Sequence, residues 1–355
     1  MILQIISLFC LFCATALAWP DPKLRTKGQI WPQPQNIQYL HAVRQAAKKV
    51  VVTKNIDCDI LDKALKRYEK MLGLTFEMAS SRSLLYGFAN EDPLTSLHVD
   101  VAETDCPGYP SLGVDESYTL DANTTNVYIK ANQVWGALRG LESFSQLFFY
   151  KGNDQFFQTA IISNDYPRFP HRGLLLDTSR HFYSMKVIKA IIELMAMNKL
   201  NVFHWHLVDM EAFPYVSKVY PEFGQGAYGS NHTYTSAQVK EIIDFARLHG
   251  IRVLPELDTP GHVASWGRAL PFMTSRCFDK TGKEMSDLDR GMLDVSNKKM
   301  WSALVALFKE LMSLFPDKYF HLGGDETDFW MENCWMNNAN ITTFMKVGEL
   351  KTAGL

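Results

Sequence analysis

The chain carries no surplus of basic charge: 36 Lys and Arg stand against 38 Asp and Glu, a net charge of −2. No basic face offers itself to a polyanion, so nucleic acid is not an expected partner. Close cysteine pairs are absent beyond residue 18, which argues against a structural zinc site. No Gly-x-Gly-x-x-Gly follows the first strand of the second half, which argues against a dinucleotide-binding fold. No segment after residue 18 is apolar for long enough to span a bilayer. Charged side chains are missing altogether from Met1–Ala18. That apolar run ends Ala16-Leu17-Ala18 before Trp19, the small-x-small pattern of a cleaved secretory signal peptide. Its basic n-region is reduced to the amino terminus. The alternative, a membrane anchor, is disfavoured by the short run and the lack of flanking charge.

With the signal removed, Cys10 and Cys13 leave with it. Of the 6 cysteines, Cys58, Cys106, Cys277 and Cys334 remain. Four cysteines allow three pairings, and the simplest is one bridge per domain, Cys58–Cys106 and Cys277–Cys334. Sequons at Asn123, Asn231 and Asn340 fit the same secretory route.

At 355 residues the chain suggests two domains. Residues 19–36, rich in Pro, Gln and charge, read as an extended leader. Val50–Val52 is a short strand. Asp59–Met71 is an amphipathic helix, with Asp57 or Asp59 as its cap. Leu97–Ala102 alternates like a half-buried strand. Ser117–Asp121 and Asn126–Lys130 read as two strands around a turn. Gln133–Phe148 is a helix. This makes a small α/β domain over residues 19–167, with no cluster of catalytic groups. Residues 151–167 are polar and turn-rich and end in Tyr166-Pro167, which marks a boundary.

From residue 168 onward strands and helices alternate. The strands are Gly173–Asp177, Asn201–Val208, Arg252–Leu257 and Tyr319–Gly323. The helices are Met185–Met197, Ser236–His249 with a serine cap, and Asn297–Phe315. Such alternation builds a parallel barrel or a doubly wound sheet. Polar residues follow each strand: Asp177 and Arg180, then His204, His206 and Asp209, then Glu256, Asp258 and His262, then Asp325 and Glu326. In a barrel these tips line one mouth. In His321-Leu-Gly-Gly-Asp-Glu326 the glycines let a ligand approach the adjacent acids. Phe329, Trp330 and Trp335 are expected to desolvate Glu326 and raise its pKa, as a general acid requires. A second chemistry competes. His204-x-His206 places two imidazoles on one strand face, as in metal-dependent amidohydrolase barrels. That reading asks for the pair on the first strand, whereas here it lies on the second.

Several long motifs then stand in order: Phe169-Pro-His-Arg-Gly-Leu-Leu-Leu-Asp-Thr-Ser-Arg-His181, Asn201-Val-Phe-His-Trp-His-Leu-Val-Asp209, Phe213-Pro-Tyr215, Gly250-Ile-Arg-Val-Leu-Pro-Glu-Leu-Asp-Thr-Pro-Gly-His262 and His321-Leu-Gly-Gly-Asp-Glu326. Gly140-Leu-Glu-Ser-Phe-Ser-Gln-Leu147 precedes them. On these the chain, from about Trp31 to its end, resembles glycoside hydrolase family 20, the β-N-acetylhexosaminidases, and is most similar to animal lysosomal subunits. The resemblance implies a non-catalytic α/β domain followed by a (β/α)8 TIM barrel, of which residues 168–355 hold about the first four βα units. It implies an exo-glycosidase that removes terminal N-acetylglucosamine or N-acetylgalactosamine with retention, by substrate assistance. Glu326 is then the general acid and base, and Asp325 orients the substrate's acetamido group. Arg172 forks onto sugar hydroxyls, while Asp209 and His262 tune Glu326. The family's disulfides resemble the pairing above.

No cofactor or metal is expected. The expected partners are N-acetylhexosamine-terminated glycoconjugates and a second subunit in a dimer. The expected location is the lysosome or the extracellular space. Two departures stand out. Met210 replaces the family's usual second Asp, and the later barrel strands have no counterpart. The competing reading is therefore an inactive remnant or isoform acting as a binding protein.

Overall fold

The computed structural model describes residues 29–79, 94–286 and 291–347. The expected signal peptide, with Cys10 and Cys13, lies outside them. The chain divides into two compact units. One reaches to Cys106 and resumes over Asp115–Arg168; the other comprises Pro107–Val114 and Phe169–Leu355. No helix among the described residues is long and apolar enough to cross a membrane.

The first unit runs β1 (Asn36–Lys54), α1 (Asp59–Leu72), β2 (Thr75–Met78), β3 (Leu94–Val101), β4 (Tyr118–Ala122), β5 (Asn126–Ala131), α2 (Val134–Gln146), β6 (Phe148–Lys151) and β7 (Asp154–Asp165). Its strands form one mixed sheet in the order β2-β1-β3-β5-β4-β7-β6. The expected Val50–Val52 is the far end of a 19-residue strand. The earlier part of β1 exists because β7 pairs antiparallel with it. Likewise residues 151–167, expected as a turn-rich boundary, are mostly strand. Their polar side chains have partners in the sheet: Thr159 Oγ1 donates to the Ala42 carbonyl (2.6 Å), and Asp165 accepts from the Tyr118 hydroxyl (2.7 Å). The cap of α1 is Cys58, without a side-chain bond, because its sulfur is joined to Cys106.

Helix α2 is buried almost throughout. It reaches the sheet through two glycines. A Cβ on Gly136 would stand 2.1 Å from the Ser117 carbonyl oxygen, and one on Gly140 2.6 Å from Ile129 Cγ2.

In the second unit Pro107–Val114, read from sequence as part of the first domain, is tied down locally. The Tyr109 hydroxyl donates to Asp244 (2.6 Å), and Arg247 donates to the Pro107 carbonyl (3.1 Å). The main run is β8 (Gly173–Asp177), α3 (Met185–Met197), β9 (Val202–Val208), β10 (Tyr215–Val216), β11 (Tyr234–Thr235), α4 (Ser236–Arg247), β12 (Arg252–Leu257), α5 (Ala264–Ala269), α6 (Lys298–Leu314), α7 (Thr327–Met331) and α8 (Ala339–Val347). The cap of α4 is Thr235 rather than Ser236, in a reciprocal capping box with Gln238. Strands β8, β9 and β12 are parallel, in the order β12-β9-β8. Phe203, Trp205 and Leu207 of β9 are fully buried against helices, as a parallel strand requires.

The expected strand Tyr319–Gly323 follows β12 but narrows to a single bridge, Glu256 to His321. The His321 N–H donates to the Pro255 carbonyl (3.0 Å), while Leu257 and Thr259 donate to His321 and Leu322 (3.2 and 2.8 Å). Pro255 has no N–H to give, and Gly323 and Gly324 turn the chain with φ of 70° and 107°. Four successive βα positions are thus present, the first four of a (β/α)8 barrel.

Candidate active site

The polar residues that follow the strands gather at their C-terminal ends, and Asp209 is the hub. It is fully buried. Its Oδ2 accepts from His206 Nε2 (2.7 Å) and lies 2.8 Å from Arg180 Nη1. Its Oδ1 accepts from the Met210 N–H (2.6 Å) and faces His262 Nδ1 at 3.1 Å. Burial pushes its pKa up, but the bonds from His206, His262 and Met210 outweigh burial and hold the carboxyl well below its usual range. For His206 burial disfavours the charge, yet Asp209 and Glu256 raise its pKa to about 10.

The backbone carries His262 and Glu326 in left-handed conformations, φ 56° and 51°. His262 Nε2 lies 3.4 Å from Glu326 Oε2, an ion-pair distance without hydrogen-bond alignment, since that nitrogen has no hydrogen-bond partner. Asp209, His262 and Glu326 therefore form a chain, and the Asp209 bond foremost raises the His262 pKa. Asp325 and Asp258 form a second pair. Burial, with Asp325 beside it, raises Asp258 to about 7, while the bond from Asp258 lowers Asp325. Of the two carboxyls, Asp258 holds a proton more readily and Asp325 favours the anion. Gly323 packs so closely that a Cβ there would fall 1.8 Å from Asp258 Oδ1.

Two expectations are corrected here. Glu326 is not desolvated, for its side chain is 72% exposed. The rings expected to cover it serve elsewhere: Trp330 lies against Gly291, and Trp335 donates to the Leu293 carbonyl (2.9 Å). Both pack around the Cys277–Cys334 bridge, and the side chain of Phe329 lies outside the description.

Arg172 is not in the mouth. It precedes β8, at the strand's opposite end, and its guanidinium donates to the Lys199 and Phe169 carbonyls (2.9 and 2.8 Å). The cation at the mouth is Arg180, which lies 2.9 Å from both Asp177 and Glu211 in addition to Asp209. Its position three residues after the last residue of β8 was the signal for it.

The imidazoles of His204 and His206 do face one point, as strand alternation implied. That point is a carboxylate oxygen: Glu256 Oε2 lies 2.5 Å from His204 Nε2 and 3.1 Å from His206 Nδ1. Of the sequons, Asn231 and Asn340 are exposed and Asn123 is half-buried.

Residues 169–354 match the catalytic domain of glycosyl hydrolase family 20, and residues 30–147 match the beta-acetyl hexosaminidase like domain. The chain belongs to glycosyl hydrolase family 20. This family 20 chain is 41% identical to the mouse beta-hexosaminidase subunit alpha, over 95% of its own length and 62% of the relative's. It is 38% identical to the human beta-hexosaminidase subunit beta, over 92% and 57%. The chitobiase of Flavobacterium johnsoniae superposes with a TM-score of 0.74 at 33% identity, over 91% of this chain and 48% of that one. The family 20 chain thus spans about 60% of the length of the curated relatives it matches.

Proposed function

We propose that the protein acts as a β-N-acetylhexosaminidase that removes terminal non-reducing N-acetylhexosamine from glycoconjugates. The observation that carries this reading is the pair of adjacent acids with different settings. Asp325, its pKa lowered foremost by the bond from Asp258, favours the anion, while Glu326 ends the chain from Asp209 through His262. In the proposed reaction Glu326 protonates the leaving oxygen as the acetamido oxygen attacks the anomeric carbon. Asp325 accepts the acetamido N–H and stabilises the positive oxazolinium. Glu326 then deprotonates the water that opens it, with net retention. Arg180 offers charge to sugar hydroxyls at the rim.

The leader expected over residues 1–18 and the sequons at Asn123, Asn231 and Asn340 support glycosylation and a lysosomal or extracellular location. The names of the relatives, subunits alpha and beta, support assembly with a further subunit, for which we propose a dimer.

One observation favours the second reading, an inactive binding protein: among the described residues Glu326 stands 72% exposed, which leaves the proton it would deliver open to solvent. Hydrolysis of an aryl N-acetylglucosaminide decides. The enzyme reading expects Glu326→Gln to lower kcat by about 10²–10⁴-fold, and Asp325→Asn to slow only substrates that carry the acetamido group. Unaltered rates in both variants, or equal cleavage of the plain glucoside, would overturn it. No turnover with retained sugar binding would favour the second reading.

A further inference from the structure

Among the described residues of the second unit, three groups of metal-ligating side chains come together: His206, Asp209 and Asp258; Asp258, His262 and Asp325; and His204, Glu256 and His321. The first two belong to the mouth, where the carboxylates are already matched by His206, His262, Arg180 and the bond between Asp258 and Asp325. The third lies at the β12 bridge, and the proposed reaction makes no use of it. Its donors come from β9, β12 and the segment after α6, and all its ligand atoms lie within 4.8 Å of one another.

The proton count fails at His321. Its Nδ1 accepts the Gly323 N–H at 3.1 Å, which requires a bare lone pair. The same Nδ1 faces Glu256 Oε1, also an acceptor, at 3.1 Å. If Nδ1 is protonated, it satisfies Glu256 and abuts the Gly323 N–H. If it is bare, it satisfies Gly323 and abuts the carboxylate. An ion between Nδ1 and Oε1 removes the conflict, because both lone pairs then point at it. The Gly323 N–H, whose contact with His321 is exposed, is then open to solvent.

The rest of the cluster suits that ion. His204 Nε2 stands 2.5 Å from the other Glu256 oxygen, and the two imidazole rings are 4.8 Å apart between centroids. Donors bonded at about 2.0–2.2 Å in a tetrahedron lie roughly 3.3 Å apart, so shifts on the order of 1 Å complete the set. Glu256 is 5% exposed, His204 18% and His321 47%. The carboxylate is buried, and among the described residues the His321 imidazole reaches the surface. Two imidazoles and one carboxylate match zinc-type ions, whereas Mg²⁺ and Ca²⁺ prefer sets made wholly of oxygen. His206 stands outside the set: Asp209 holds its Nε2, and its Nδ1, 3.1 Å from Glu256 Oε2, serves as a partner of that oxygen.

We propose that His204, Glu256 and His321 form a binding site for one zinc-type divalent ion, separate from the acid pair. The proposal does not rest on glycosidase activity, and its test reads binding alone. The full chain, stripped with chelator, is titrated with Zn²⁺ by calorimetry, alongside His321→Ala and His204→Gln. The wild type is expected to take up one equivalent more than either variant, or to bind it at least about tenfold more tightly. Circular dichroism checks that each variant is folded. Should neither fold, Co²⁺ added to the wild type is expected to give the intense visible bands of a tetrahedral site. Absence of saturable Zn²⁺ binding below about 100 μM in the wild type would overturn the proposal. So would binding unchanged in both folded variants, or weak octahedral bands for Co²⁺.

Discussion

Glu310 holds a whole loop through one carboxylate. It accepts from the Tyr215 hydroxyl (2.6 Å), Ser217 Oγ (2.7 Å) and the N–H groups of Lys218 and Val219 (2.9 and 3.1 Å). Burial pushes its pKa up, but these four bonds outweigh burial and lower it. Because the folded-state pKa lies below the unfolded one, the stabilisation is present above the unfolded pKa. It is lost as pH falls through the folded one. Glu310→Gln should therefore cost about 1 kcal/mol at neutral pH, a modest value because the site is partly exposed. It should also flatten the decline of Tm below about pH 4.3. Thermal melts from pH 3 to 7 test both. The two arginines make a second contrast at this scale. Arg180→Ala should weaken N-acetylglucosamine binding, read by calorimetry, with little change in Tm. Arg172→Ala should lower Tm and leave sugar affinity unchanged. The motif around them was legible, but the role of each was not. Both flank the same strand, and only the contacts, carbonyls for one and carboxylates for the other, tell them apart.

At the scale of elements, periodicity served where one face meets one core. Helix α3 and strands β8 and β12 lie where the apolar pattern put them; α3 and β12 do so because their apolar residues face the core. Strand β7 escaped notice because its hydrogen-bonding side chains are satisfied by neighbouring backbone, which no local pattern records. The segment at residues 319–323 was over-read for the opposite reason. Its apolar residues suit a strand, but among the described residues it pairs only with β12. The mouth itself was legible as a row of strand ends; the exposure of Glu326 was not, since it depends on where Trp330 and Trp335 turn. The contact of α2 with its sheet gives a direct test of packing. Gly136→Ala drives a Cβ into the Ser117 carbonyl at 2.1 Å and should cost about 1–3 kcal/mol in urea denaturation.

At the scale of the whole molecule, the parallel sheet of the second unit carries exposed leucines on β8 among the described residues. Among the described residues β8 pairs only with β9, and its Leu174 and Leu175 are 41% and 51% exposed. Exposed apolar side chains of this kind favour association. Leu175→Lys should reduce concentration-dependent light scattering at neutral pH without lowering Tm. Scattering that matches the wild type would place the sticky surface elsewhere.

The left-handed backbone at His262 and Glu326 also narrows what evolution can try there. A β-branched side chain at either position meets a steric penalty of about 1–2 kcal/mol before any chemistry is considered. Glycine and asparagine pass that filter and deliver no proton. Viable sequences at these two sites are thus screened twice, first by chain geometry and then by acidity. Neutral drift through valine, isoleucine or threonine is closed to them.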